Sequence, residues 1–584
     1  MLNRHLTVKV MAGATFGLNV VSIGYGFIYA ISQDKAPLQT LFGLAVVAAL
    51  LLNLGIAYWN HTYYAALRLQ RWGTAYLIAS MLAMVILPVA GFAASSAYDP
   101  RTATTIILVA VYPAYMVVLF LGALQAGATY SAYPGSRKII NDEVTPPETR
   151  DSLTGGRKIL LTCLMFVLFS GLLLAYILLS RYPGMLQVVV PPNALFLAFF
   201  YPALAILVHK IYNKPRSLPG LATSTVGLAL MIVFMLPLLM TPSAANQAET
   251  SFRSAFGENW QEQIESAVTD QLRPSRFSLP AYFLGYFPGN YIYQKDILYY
   301  EGTAGSDEGI KLNFDVFMPS PKQPGLPGEG STIIRIHGGA WIAGSKGLGN
   351  MMQMNKHLAS LGYTVFDIQY GLTNRVTLSR IMFLYNFLDN ITGPMSQLTA
   401  ASSLGAFENA TGPFTLDDMM RHLGLFTDYL VENAEEYGAS TDSVFVSGGS
   451  AGGHLTTAMT LAIAGGEHNH LFNSEIKVKG YIPFYPANRA TLILEEIGGA
   501  EEWIDVEKLI RPDSPPCLIF QGAKDGMVPR ETASHFRESY IEAGNANCAV
   551  IYMPLAAHAA DYLFAGNYNQ IFLYYMERFM VLHQ

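Results

Sequence analysis

The stretch Ser447-Gly448-Gly449-Ser450-Ala451-Gly452-Gly453-His454 decides the reading of this chain. A short apolar run, 443–446, precedes it, and a helix-like run, 455–464, follows it. Strand, Gly-x-Ser-x-Gly and helix, in that order, are what a nucleophile elbow needs. The turn is sharp, so small residues must flank the serine, here Gly448, Ala451 and Gly452. The hydroxyl then stands clear of the backbone at the head of a helix. Taken alone, the motif reads equally well as a plain Gly/Ser turn, so its surroundings have to decide.

Around it, residues 311–584 alternate short apolar runs with helical ones. Strands are expected at 312–317, 332–336, 364–370, 443–446, 480–484, 517–521 and 549–553. Helices are expected at 349–361, 416–437, 453–464 and 530–543. That alternation predicts a mainly parallel sheet covered by helices on both faces. Reactive residues collect at the carboxyl ends of such strands. There the chain places His337-Gly338-Gly339-Ala340-Trp341, then Ser450, then Asp525 beside Gly526, then His558.

These sites meet the needs of acyl transfer. Ser450 needs a base, and His558 is placed to take its proton. Asp525 fixes the imidazole tautomer and stabilises its charge. The N–H groups of Gly338, Gly339 and Ala451 form the expected oxyanion hole. Asp513 and Asp561 compete for the acid role, and His337, His454 and His535 for the base. Asp525 is preferred because it directly follows a strand. His535 falls in a predicted helix, His454 follows the elbow glycines, and His337 is expected to hold the glycine turn by hydrogen bonds. Trp341 is assigned to packing or to the substrate wall.

Residues 311–584 resemble an α/β-hydrolase of the hormone-sensitive-lipase and carboxylesterase type. The similarity rests on His337 to Trp341 and on Gly448 to Leu455, which match the His-Gly-Gly-x-Trp and Gly-x-Ser-Ala-Gly-Gly-His-Leu of feruloyl- and acetyl-esterase-like members. Gly449, where many hormone-sensitive-lipase relatives have Asp, favours that branch. The resemblance implies a serine carboxylesterase needing no cofactor or metal. One departure is the long separation of His337 from Ser450. The excess falls at about 375–411, an apolar insertion expected either to cover Ser450 as a lid or to pack as an ordinary helical excursion.

The first 240 residues differ in kind. Over the 584 residues, charged side chains make up 13%, against roughly 25% in soluble domains. Mean hydropathy is +0.29. Seven runs, 10–31, 38–59, 72–94, 103–129, 159–180, 186–208 and 221–240, are long and apolar enough to span a bilayer. With the N-terminus inside, 12 Lys and Arg fall in inner segments and three, Lys35, Arg101 and Arg181, in outer loops. The expected fold is therefore a transmembrane bundle of about seven spans, 1–240, followed by a catalytic domain on the extracytoplasmic side.

No ionisable residue lies well inside the spans, which argues against a pump or ion-coupled transporter. Asn19, Asn53, Gln125 and Asn193 are polar but uncharged. The bundle reads as an anchor, or as a groove presenting a lipid-linked substrate. A net charge of −6 and the lack of a basic stripe give no reason to expect a nucleic-acid partner. Cys163, Cys517 and Cys548 are too few and too scattered for a disulfide framework and are expected as buried thiols.

Residues 241–310 read as a linker. It opens with a small polar stretch, 241–246, and continues as an amphipathic helix, 251–272, with Phe252, Phe256, Trp260, Ile264 and Val268 on one face. An aromatic-rich segment, 280–300, then suits an interfacial belt or a ligand site. The combined expectation is a membrane-embedded serine hydrolase acting on carboxylic esters of an envelope lipid or glycan. The alternatives are an acyltransferase with a sugar or lipid acceptor, or a receptor or transporter bearing a non-catalytic hydrolase-like domain.

Overall fold

Backbone crossing hydrocarbon must satisfy its own hydrogen bonds, and each of the seven apolar runs is helical. In the computed structural model, which describes residues 2–32, 36–63, 67–132, 154–212, 218–321, 324–347, 349–377, 380–381 and 410–584, the seven are Leu6–Ile31, Leu38–Thr62, Leu67–Ser96, Pro100–Ala132, Gly155–Leu179, Ala194–Tyr212 and Leu218–Phe256. The fourth contains a π-turn, Ile107–Val111, where the Tyr112 N–H bonds Ile107 O. Pro113, which cannot donate, follows at once and accounts for the displaced ladder. The sixth starts later than expected, because Pro191-Pro192 separates a short turn, Leu186–Val189, from the main helix.

Polar side chains in the bundle face each other. Asn53 Nδ2 donates to Asn19 Oδ1 at 2.9 Å, and Gln125 Nε2 donates to Asn53 O at 2.7 Å. Asn193 instead bonds Val189 O at 2.8 Å. Large apolar side chains point outward, Phe166 being 77% exposed. Cys163 shares that outward surface, so it is an exposed thiol rather than a buried one, whereas Cys517 and Cys548 are buried.

Eight strands form one sheet: β1 Tyr291–Glu301, β2 Lys311–Pro319, β3 Thr332–Ile336, β4 Thr364–Ile368, β5 Val444–Gly449, β6 Val478–Phe484, β7 Cys517–Gly522 and β8 Cys548–Met553. Their order is β1-β2-β4-β3-β5-β6-β7-β8. β2 runs antiparallel to both its neighbours, and the pairs from β4 to β8 are parallel. β1 was not expected. Its ladder with β2 shifts register between Gln294 and Ile297 and again between Leu298 and Tyr300, which breaks the alternation that marks a strand.

The connection at 241–290 is packed structure rather than linker. Thr241–Phe256 is a helix that continues directly from the last apolar run, with Pro at its first turn. Phe252 and Trp260 are buried against the closing helix, Asn567–His583. The amphipathic stripe thus packs on the α/β domain, although its helix ends at Phe256. Part of the aromatic segment is drawn into the bundle. Tyr282 and Phe283 are buried among bundle residues, with the Tyr282 hydroxyl donating to Pro192 O at 2.5 Å.

The domain sits on one end of the bundle. Tyr29 Oη donates to Gly285 O at 3.2 Å, Tyr98 Oη donates to Asp315 Oδ2 at 2.6 Å, and Lys356 Nζ donates to Ser95 O and Ala97 O at 2.8 and 2.7 Å. These contacts fall where the first and third helices end, opposite the N-terminus. The insertion at 375–411 is rooted in a two-stranded ladder, Leu372–Thr373 with Thr411–Gly412. Residues 378–379 and 382–409 of it lie outside the described residues, as do Lys35, Arg137, Lys138, Arg150, Lys214 and Arg216 of the charge pattern.

Candidate active site

Sheet register brings the sequence motifs together. Ile336 of β3 pairs with Gly448 of β5, so the glycine turn and the serine elbow leave the sheet side by side. Gly522 of β7 pairs with Met553 of β8, which does the same for the acid and base loops. All four loops emerge at the carboxyl ends of their strands.

At the elbow, Ser450 has φ 58° and ψ −121° and caps the helix Ala451–Gly465. A non-glycine residue with positive φ is strained and has to be held by its surroundings. The hold is close. A Cβ on Gly448 would lie 2.5 Å from Ile336 O, and one on Gly452 would lie 2.3 Å from the same oxygen. The Ser450 N–H donates to Phe484 O at 2.9 Å.

The glycine turn is also strained, with positive φ at Gly339, Ala340 and Trp341. The N–H groups of Ile342 and Ala343 both donate to Gly339 O, closing the loop. A Cβ on Gly338 would lie 2.6 Å from Gly449 O and 3.4 Å from Ser450 Cβ, so this turn packs directly on the elbow. Among the described residues, the N–H groups of Gly338, Gly339 and Ala451 have no acceptor.

His337 Nδ1 lies 2.8 Å from Gly338 O, and its ring stacks on Tyr370 at 4.4 Å. Burial lowers its pKa to about 4, so it is a neutral latch for the turn. Trp341 is 1% exposed and packs edge-on against His454 at 5.4 Å. Its indole lies in the core, in keeping with the packing alternative.

Asp525 and His558 are paired: Nδ1 of the imidazole lies 2.9 Å from Oδ2 of the carboxylate. The N–H groups of Met527 and Val528 donate to Asp525 Oδ1 at 2.9 and 2.8 Å, which orients the carboxylate. Nδ1 is thereby the donor, and Nε2 is left to accept a proton. The rivals are elsewhere. Asp513 is exposed. His535 is exposed beside Glu538. His454 is buried, with Nε2 2.8 Å from Trp503 O.

Three participants in this arrangement were not singled out for it from the sequence. Tyr485 follows β6, has φ 38°, and lays its ring 4.5 Å from that of His558. Its hydroxyl lies against the elbow, 3.0 Å from where a Cβ on Gly449 would be. It also bonds Asp561, whose pKa burial raises to about 6. The positive φ of a tyrosine leaves no local sequence signal. Arg335 is buried beneath the elbow, where it donates to Ser447 Oγ at 2.8 Å. Gln187, from the connection between the fifth and sixth apolar helices, touches both the acid and the base loops.

A family model described as an alpha/beta hydrolase fold matches residues 413–554. The chain is 22% identical over 259 residues to the probable carboxylic ester hydrolase LipM of Mycobacterium tuberculosis, covering 41% of this chain and 51% of that protein. It is 26% identical over 171 residues to esterase LipQ of the same organism, covering 26% and 40% respectively. The chain thus spans about half the length, or less, of the curated relatives it matches. Among solved structures, the apo form of Thermogutta terrifontis esterase 2 aligns with 49% of this chain and 90% of its own, at 20% identity and a TM-score of 0.34. The propionate-bound form aligns with 45% and 84%, at 22% identity and a TM-score of 0.32.

Proposed function

From a chain that joins an α/β-hydrolase domain of the carboxylesterase type to seven apolar helices, we propose a membrane-embedded serine hydrolase that cleaves carboxylic esters. The Asp525–His558 pair, beside the strained Ser450 elbow, is the observation that carries this reading. His558 Nε2 takes the Ser450 proton as Oγ attacks the ester carbonyl. The oxyanion is received by the N–H groups of Gly338, Gly339 and Ala451, each worth about 3 kcal/mol to the transition state. His558 then returns the proton to the leaving alcohol, and water releases the acyl group from Ser450.

The substrate we assign is an acyl or acetyl ester on an envelope lipid or glycan. Two observations support this. The domain is seated on the end of the bundle opposite the N-terminus, and the Lys and Arg distribution favours an inner N-terminus. Cleavage of short p-nitrophenyl esters by the full-length protein tests the chemistry. Ser450→Ala should lower the rate by roughly 10⁴-fold or more, and full activity in that variant would refute the assignment. Protease access to the domain on intact cells tests the location, and cleavage seen only after lysis would place it on the inner side.

A further inference from the structure

An anchor has no use for one contact made between the fifth and sixth apolar helices. Gln187 lies in the turn Leu186–Val189 and is fully buried. Its side-chain oxygen accepts from the N–H of Gly526 at 3.0 Å and from the N–H of His558 at 3.4 Å. Gly526 directly follows Asp525. Nearer the sheet, the same two loops are joined by Lys524 N–H to Ala556 O at 2.8 Å, and Gln187 ties them again beyond the carboxylate.

The backbone of this connection is seated on the acid loop as well. A Cβ on Gly526 would lie 2.6 Å from Arg181 O and 2.7 Å from Tyr182 O. Tyr182 and Leu186 pack in the same apolar cluster as Leu555, three residues before His558. At the rim, Arg181 pairs with Glu531 at 3.1 Å.

We propose that Gln187 is a positioning residue for the acid–base pair, making the connection between the fifth and sixth apolar helices a working part of the hydrolase site. This rests on the reading of Asp525 and His558 as that pair. Asp525 fixes the imidazole through Nδ1. Gln187 fixes the peptide from which the imidazole hangs and the peptide that follows the carboxylate. A carbonyl oxygen with two lone pairs can hold both N–H groups at once. Among the described residues, the Gln187 Nε2 is buried without a hydrogen-bond partner, a cost that persists in native structures where a group has a specific task. The groups facing His558 are Asp525, the Tyr485 ring and buried Asp561, with Arg335 behind them. Lys524 lies on the acid loop, and Arg181 is paired at the rim.

The test uses full-length protein in detergent, with p-nitrophenyl acetate turnover followed across pH and fluorophosphonate labelling of Ser450. Gln187→Leu should lower kcat by about 10- to 100-fold, since misplacement of about 1 Å costs that much, with KM changed by less than about twofold. Gln187→Glu keeps an acceptor oxygen, and two N–H donors favour its ionised form. Its negative charge stabilises the His558 imidazolium, so the acid limb of kcat/KM should move up by about one pH unit. A residue that only supports the fold would leave that limb in place. Turnover by Ser450→Ala would defeat the catalytic reading itself. With Ser450→Ala inactive, near-wild-type turnover in Gln187→Leu or an unmoved limb in Gln187→Glu defeats the positioning role. If Gln187→Leu loses its folded melting transition, the Gln187→Glu profile alone decides.

Discussion

In the bundle, large apolar side chains such as Phe166 and Leu239 face outward, while Asn19, Asn53 and Gln125 are fully buried. In the α/β domain, Ile334, Val446 and Phe520 are fully buried, and most of the charged side chains lie at the surface. Each arrangement fits one solvent. Water drives apolar groups inward in the domain. Lipid offers no such drive, so the bundle is held by packing and by hydrogen bonds among uncharged polar groups. One buried charge of the domain, Glu577, is surrounded by partners. Glu577 accepts from the Arg273 N–H at 2.8 Å and faces His357 Nε2 at 2.7 Å. The seam between the two regions uses both means, with polar contacts at Lys356 and Tyr98 and apolar packing at Phe283 and Leu563.

The contrast can be broken at several points. The largest effect is expected at Glu577. Glu577→Ala leaves Arg273 and Arg578 without their buried counter-charge and should cost about 3–5 kcal/mol, read as a fall in the domain's melting temperature. Survival at full stability would show that this buried cluster is not what holds the closing helix.

Next comes the outward face of the fifth apolar helix. Phe166→Asp places a carboxylate near the middle of that span and should raise its apparent insertion free energy by about 3 kcal/mol. Insertion unchanged in a translocon assay would mean that this face does not meet lipid. A smaller effect is expected at Asn53→Leu, about 0.6 and at most about 1.7 kcal/mol, even though three side chains share its bonds. A cost as large as that at Glu577 would erase the distinction between the two interiors.

The smallest effect is one of slope. Among the described residues of the bundle no carboxyl is buried, whereas Asp561 and Asp367 of the domain are both pushed up to about 6 by burial. The unfolded chain releases these protons near pH 4. The stability each contributes is therefore full below about 4 and is lost as pH rises through about 6. Asp561→Asn should flatten the decline of melting temperature across that window without abolishing it, because Asp367 remains. An unchanged slope would mean that Asp561 does not titrate there.

Features specified by neighbouring residues were legible in the sequence. The elbow needs Gly448 and Gly452 within two positions of Ser450, because larger side chains would strike Ile336 O. Strand ends marked the acid loop, so Asp525 was separable from Asp513 and Asp561. The bundle was legible because a span is a continuous apolar run. The hidden features depend on partners far away in the chain. β1 was obscured by its two register shifts and by aromatic residues that also suit an interface. The helix Thr241–Phe256 was masked by a polar start that reads equally well as a linker. Trp341 shows the converse: its place in a strand-end motif suits packing and the substrate wall alike, and only its burial in the core speaks for packing.

The sequence by itself determined the two building plans, the serine elbow and the strand-end order of the glycine turn, Ser450, Asp525 and His558. Each follows from local sterics or from a run of like residues. Only the tertiary structure decided that Tyr485 lies over the His558 imidazole and that Gln187 reaches from the bundle to both loops. These contacts join residues up to 371 positions apart. Register and packing set them, and neither is written in the neighbourhood of any one residue.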